Sequence, residues 1–84
     1  MFPVGSLVEL NDGSVGVVLE QNPNNVLRPK VMVLIDRDRT PLAQAKIIEM
    51  RDLPVDVTHS DALWIAEGHE HGAFGIDPLK IFKN

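Results

Sequence analysis

The sequence predicts a mainly β fold, a small, mostly antiparallel barrel carrying a short C-terminal helix. Apolar residues alternate in two runs, Leu7, Val8, Leu10 and then Val15, Val17, Leu19. Between them lies Asn11-Asp12-Gly13, whose residues accept positive φ and so favour a tight hairpin. Glycine and proline at Pro3, Gly5, Gly13, Gly16 and Pro23 punctuate the same stretch, as in a chain of short strands and sharp turns.

The elements follow in order. Leu7–Leu10 reads as a first strand and the run from Val15 as its return, with Val15, Val17 and Leu19 expected on a wholly apolar face. Gly16 interrupts that second strand, where glycine marks a bulge, a barrel corner or a close approach of another backbone. Asn22 to Pro29 is a loop of turn-forming residues stiffened by a proline near each end. Lys30 to Asp36 is β-rich and apolar and reads as a third strand, ending in the charged turn Arg37-Asp38-Arg39-Thr40-Pro41. Ala45 to Met50 reads as a fourth, although its Ala, Lys, Glu and Met also suit a short helix. Val55 to Thr58 reads as an irregular or edge strand. Ala62 to Ala66 fits either a helical turn capped by Ser60 or Asp61 or a strand favoured by Trp64 and Ile65. Asp77-Pro78 followed by Leu79, Ile81 and Phe82 has the capping carboxylate and first-position proline of a short helix. The topology resembles the SH3 type.

Composition sets limits on function. At 84 residues the chain is a single domain over 1–84, and one this small removes only roughly 60% of its unfolded surface from water. One thin core leaves little room for a deep cleft, so a self-contained enzyme is not expected, nor is a bound cofactor. Twelve acidic against eight basic side chains give a net charge of −4, which opposes a phosphate backbone and argues against nucleic-acid binding. With no cysteine there is neither a disulfide framework nor a thiolate metal site. No run approaches the length of a membrane span and no signal segment is visible, so a cytoplasmic protein without a membrane partner is expected.

Three groups of residues carry chemistry. Glu67-Gly68-His69-Glu70-His71-Gly72, with His59 nearby in sequence, offers imidazole and carboxylate ligands of the kind zinc, nickel or iron accept. The candidate metal ligands are His59, His69 and His71. The competing reading is a polar, glycine-bounded turn whose histidines face solvent. Arg28, Lys30, Arg37 and Arg39 form a candidate anion or nucleotide site. Val26, Leu27 and Arg28 expose apolar and guanidinium groups on a proline-braced loop, a composition that suits an interface. Trp64, Phe74 and Phe82 are read as rings locking the C-terminal segment over the barrel. No Gly-x-Ser-x-Gly nucleophile turn or phosphate-binding loop is present.

Residues 2–10 (FPVGSLVEL), Gly13 to Val18 (GSVGVV), Asn22-Pro23, Leu27 to Val31 (LRPKV) and Asp36 together resemble the segment that follows the catalytic domain in HD-GYP phosphohydrolases. These are bacterial metal-dependent enzymes associated with hydrolysis of cyclic di-GMP. The resemblance covers 2–36 and, more weakly, Phe74 to Pro78. The family's catalytic His-Asp pair and Gly-Tyr-Pro motif have no counterpart, since this chain has no His-Asp dipeptide and no tyrosine. The resemblance therefore implies a non-catalytic C-terminal module of a longer protein. Such a module would pack on the catalytic phosphohydrolase domain of the same chain or help it form a homodimer. A regulatory module binding a nucleotide or a metal is the alternative.

Overall fold

The computed structural model describes residues 2–53 and 62–69. Five strands follow one another: β1 (Leu7–Leu10), β2 (Val15–Glu20), β3 (Lys30–Ile35), β4 (Pro41–Glu49) and β5 (Ile65–His69). A single 3-10 turn, Met50–Asp52, follows β4. All pair antiparallel in one sheet of order β4-β3-β2-β1-β5. Four strands form a meander, and the last returns to pair with the first, an order consistent with the predicted small barrel. The expected strand at Val55–Thr58 and the helix from Asp77 lie outside the described residues, as do Phe74 and Phe82.

The first hairpin forms as its turn residues dictate. Gly13 adopts φ +94 and donates its N–H to the Leu10 carbonyl at 2.9 Å. Asp12 Oδ1 accepts both the N–H and the hydroxyl of Ser14, at 2.9 and 2.6 Å, which fixes the turn from inside.

β2 departs from the expected one-sided pattern. Val15, Val17 and Val18 are all fully buried, and the core cluster is built from Val18 with Val8, Leu10, Val31, Val33 and Met50. Val15 and Val17, expected to define the core face, are instead buried beside it. Both faces of β2 are covered along Val15 to Val18, so alternation there no longer separates inside from outside. β3, flanked by strands on both edges as β2 is, does alternate: Val31, Val33 and Ile35 are buried and the residues between them half-buried.

β4 begins four residues earlier than the sequence predicts, at Pro41, and Met50 leaves it to open the 3-10 turn. The helix alternative for this stretch is thereby set aside. Its pairing with β3 runs from Lys30↔Glu49 to Val33↔Lys46, which overrides the weak β preference of Lys46 and Glu49, then shifts register before Ile35↔Pro41. The open choice over Ala62–Ala66 resolves to strand from Ile65 onward. Asn11 delivers this segment to β1: its side-chain amide donates to Ala62 O at 3.1 Å, its Oδ1 accepts the Trp64 N–H at 2.8 Å, and its own N–H donates to Trp64 O at 3.0 Å. No helix among the described residues is long and apolar enough to cross a membrane.

Candidate functional site

The loop from Asn22 to Pro29 is braced by its own side chains, which replace missing ladder bonds. Asn22 Oδ1 accepts the Asn24 N–H at 3.0 Å, Asn22 Nδ2 donates to Arg28 O at 3.2 Å, and Asn25 Oδ1 accepts the Leu27 N–H at 3.1 Å. At its tip Val26 and Leu27 stand in solvent, 46% and 59% exposed.

Arg28 does not stand with them. It is only 8% exposed and points inward, donating Nε to Met50 O at 3.0 Å, Nη2 to Met50 O at 2.7 Å and Leu53 O at 3.3 Å, and Nη1 to Leu63 O at 2.8 Å. One guanidinium thus joins the loop to the 3-10 turn and to the approach of β5. A planar fork of five donors suits this task, and a single ammonium could not span it. The residue expected as a surface anchor or anion ligand is an internal clamp that holds the Val26–Leu27 tip in place.

The remaining members of the expected anion site are spread along β3. Lys30 opens that strand, opposite Glu20 on β2 and Glu49 on β4. Arg37 and Arg39 lie beyond its far end, at least about 17 Å along the strand direction. The four basic residues therefore do not converge.

The turn after β3 is nonetheless well organised. Arg39 adopts φ +68, a conformation that favours glycine or asparagine, and its N–H donates to Asp36 O at 2.8 Å. Asp38 Oδ1 accepts the Thr40 N–H at 3.0 Å. Hydrogen bonds from the Thr40 side chain and then its backbone hold the Asp38 carboxyl below the ordinary aspartate value of 3.8. A folded-state pKa below the unfolded one stabilises above the unfolded value and loses that contribution as pH falls through the folded value. An NMR titration should show the Asp38 carboxyl with a midpoint below 3.8, moving back up in Thr40→Val.

Beyond the turn, the Arg39 side chain reaches β1 and pairs with Glu9 Oε2 at 2.9 Å. The other Glu9 oxygen, Oε1, lies 3.1 Å from His69 Nε2, and Glu67 Oε2 is 3.7 Å from the same nitrogen. Strand pairing explains the cluster: Glu9 sits directly opposite Glu67, and His69, two residues on, shares the face of Glu67. The structure thus brings Glu67 and His69 together on a strand, where a solvent-facing turn was the competing expectation. His59 and His71 lie outside the described residues. Glu9 is the member that sequence reasoning missed, since only the β1–β5 register places it there.

A shallow apolar groove of about 330 Å³ runs beside β4, lined chiefly by Ile47, Ile48, Leu53 and Leu63 with Lys46, Glu49 and Asp52. Leu53 and Leu63 are two of the three residues whose carbonyls Arg28 holds, so the loop and the groove share one framework.

The β meander, its returning fifth strand and an internally clamped loop describe a small, mainly β module. Residues 7–58 match the family model described as "KOW domain associated with HD domain", and the chain belongs to that family. A cyclic di-GMP phosphodiesterase of Pseudomonas aeruginosa is 44% identical to it over 45 residues, a stretch that covers 52% of this chain and 11% of that protein. The chain therefore matches about a tenth of the length of this curated relative. No solved structure matches.

Proposed function

We propose that this chain is a non-catalytic accessory module of an HD-type cyclic di-GMP phosphodiesterase, docking on the HD domain through the Val26–Leu27 tip. The observation that supports this is the pairing of an exposed apolar tip with a rigid base. Large apolar side chains that protrude from a braced loop lose little conformational freedom on binding, which is the property interface anchors need. The family description, a KOW domain associated with an HD domain, supports the HD domain as the occupant.

The relative's activity as a cyclic di-GMP phosphodiesterase supports cyclic di-GMP as the substrate of the catalytic partner. In this reading the hydrolysis is carried out by the catalytic domain and not by the module. Its effect is to cover an apolar face of the catalytic domain or to set how two such domains meet.

Titrating the isotope-labelled chain with the HD domain of the related phosphodiesterase tests the proposal. Amide shifts at Val26 and Leu27 are expected, with affinity reduced at least about tenfold in Leu27→Asp, roughly the 1.4 kcal/mol that a modest interface anchor contributes. Binding that leaves the tip unperturbed, or no binding at all, refutes this docking mode.

A further inference from the structure

We propose that Glu9, Glu67 and His69 form a binding site for a divalent transition metal of the zinc class, bridging β1 and β5. The donor spacing points to it. Ligands held about 2.0–2.1 Å from a tetrahedral metal stand about 3.3–3.4 Å from one another. The two separations measured from His69 Nε2, 3.1 Å to Glu9 Oε1 and 3.7 Å to Glu67 Oε2, bracket that value. The three donor atoms all lie within 4.8 Å of one another.

The register gives a second, separate reason. Glu9 and Glu67 are directly opposite in the β1–β5 ladder, an arrangement in which two carboxylates repel. Arg39 answers one carboxylate from its far side, at Glu9 Oε2, and leaves Oε1 turned toward His69. A cation between Oε1, Glu67 Oε2 and Nε2 would meet both negative charges and the imidazole lone pair at once. In that form His69 carries its proton on Nδ1. Arg39 then acts as an outer partner that fixes the orientation of the Glu9 carboxylate, a common feature of metal sites.

The donor set selects the metal. One imidazole nitrogen with two carboxylates suits zinc and its borderline neighbours, nickel, cobalt and copper. Calcium requires six to eight oxygens and is poorly served here. Three protein ligands leave one position of a tetrahedron for water or a further donor. The two strands the site joins are neighbours, and β5 lies at the edge of the sheet, so occupancy fastens that edge strand to β1.

The test is calorimetric titration of the whole chain with zinc chloride near neutral pH, with calcium chloride alongside. Thermal melting follows the same samples. Expected are one zinc per chain, a higher melting temperature with zinc, and no comparable response to calcium. Glu67→Gln and Glu9→Gln should each weaken zinc binding by about tenfold or more. Glu67 is 69% exposed, so its replacement leaves folding intact and isolates the ligand effect. A paired His59→Ala, His71→Ala variant should retain zinc. The proposal is overturned by absent zinc binding, by binding undiminished in either glutamine variant, or by binding that depends on His59 and His71 alone. In each case the cluster is an ion-pair network only.

Discussion

Arg28→Ala is expected to be among the most destabilising single changes in the described part of the chain, by about 3 kcal/mol, read as a fall in chemical or thermal midpoint. The estimate follows from what the substitution leaves behind. Arg28 is nearly buried, and its Nε, Nη1 and Nη2 bond the carbonyls of Met50, Leu53 and Leu63. Hydrogen bonds from a charged donor contribute about 1.5–3 kcal/mol, and acceptors left buried without partners add their desolvation cost. For a domain of this size, that loss lowers the melting temperature by more than about 10 °C.

Arg28→Lys should recover only part of this, because an ammonium cannot reach carbonyls that diverge toward the 3-10 turn and β5. A guanidinium exposed on the tip would instead be replaceable by lysine at little cost to stability. Comparing alanine and lysine at this one position therefore separates the internal clamp from a surface anchor. Arg28→Ala should also weaken docking at the Val26–Leu27 tip, as an indirect effect of releasing the loop.

What was legible in the sequence was local. Asn11-Asp12-Gly13 specifies its hairpin because the φ preference lies in the turn residues themselves, and β3 announces itself through a run of β-branched and apolar side chains. What escaped notice depends on partners far along the chain. Arg28 reaches residues 22, 25 and 35 positions away, and Glu9 meets His69 across 60. Nothing in the immediate neighbourhood of either residue encodes those meetings. The two-sided burial of β2 belongs to the same class, since a strand's alternation reveals its faces only when one of them is left open.

The family resemblance was legible for a related reason. Its residues 2–36 include the hairpin and the braced loop, where backbone geometry restricts the residue types. The histidine segment carries no such restriction. Its sequence was compatible with a turn or a strand, and pairing with β1 makes Ile65–His69 a strand.

Gly16→Ala should cost about 2–3 kcal/mol, at the upper end for inserting a methyl group into a filled site. The sequence marks Gly16 as anomalous, a glycine within a strand, and the register shows why it is there. A β-carbon at this position would lie 2.6 Å from Met32 O and 2.7 Å from Val31 Cγ1. Both neighbours belong to β3, which is held on its other edge by β4, so neither can withdraw without disturbing a second ladder. The pairing of β2 with β3 already shifts register between Val15 and Gly16, which places the close approach at an irregularity in the strand. Gly68→Ala provides the comparison within the same sheet, because its β-carbon would meet only the Phe2 ring, at an ordinary 3.8 Å. There the reduced freedom of the unfolded chain should offset the change and leave stability within about 0.5 kcal/mol of the parent. Equal melting temperatures for the two alanine variants would mean that β2 and β3 do not approach as closely as Gly16 allows. A large difference between them would locate the constraint in that one contact and not in glycine's flexibility as such.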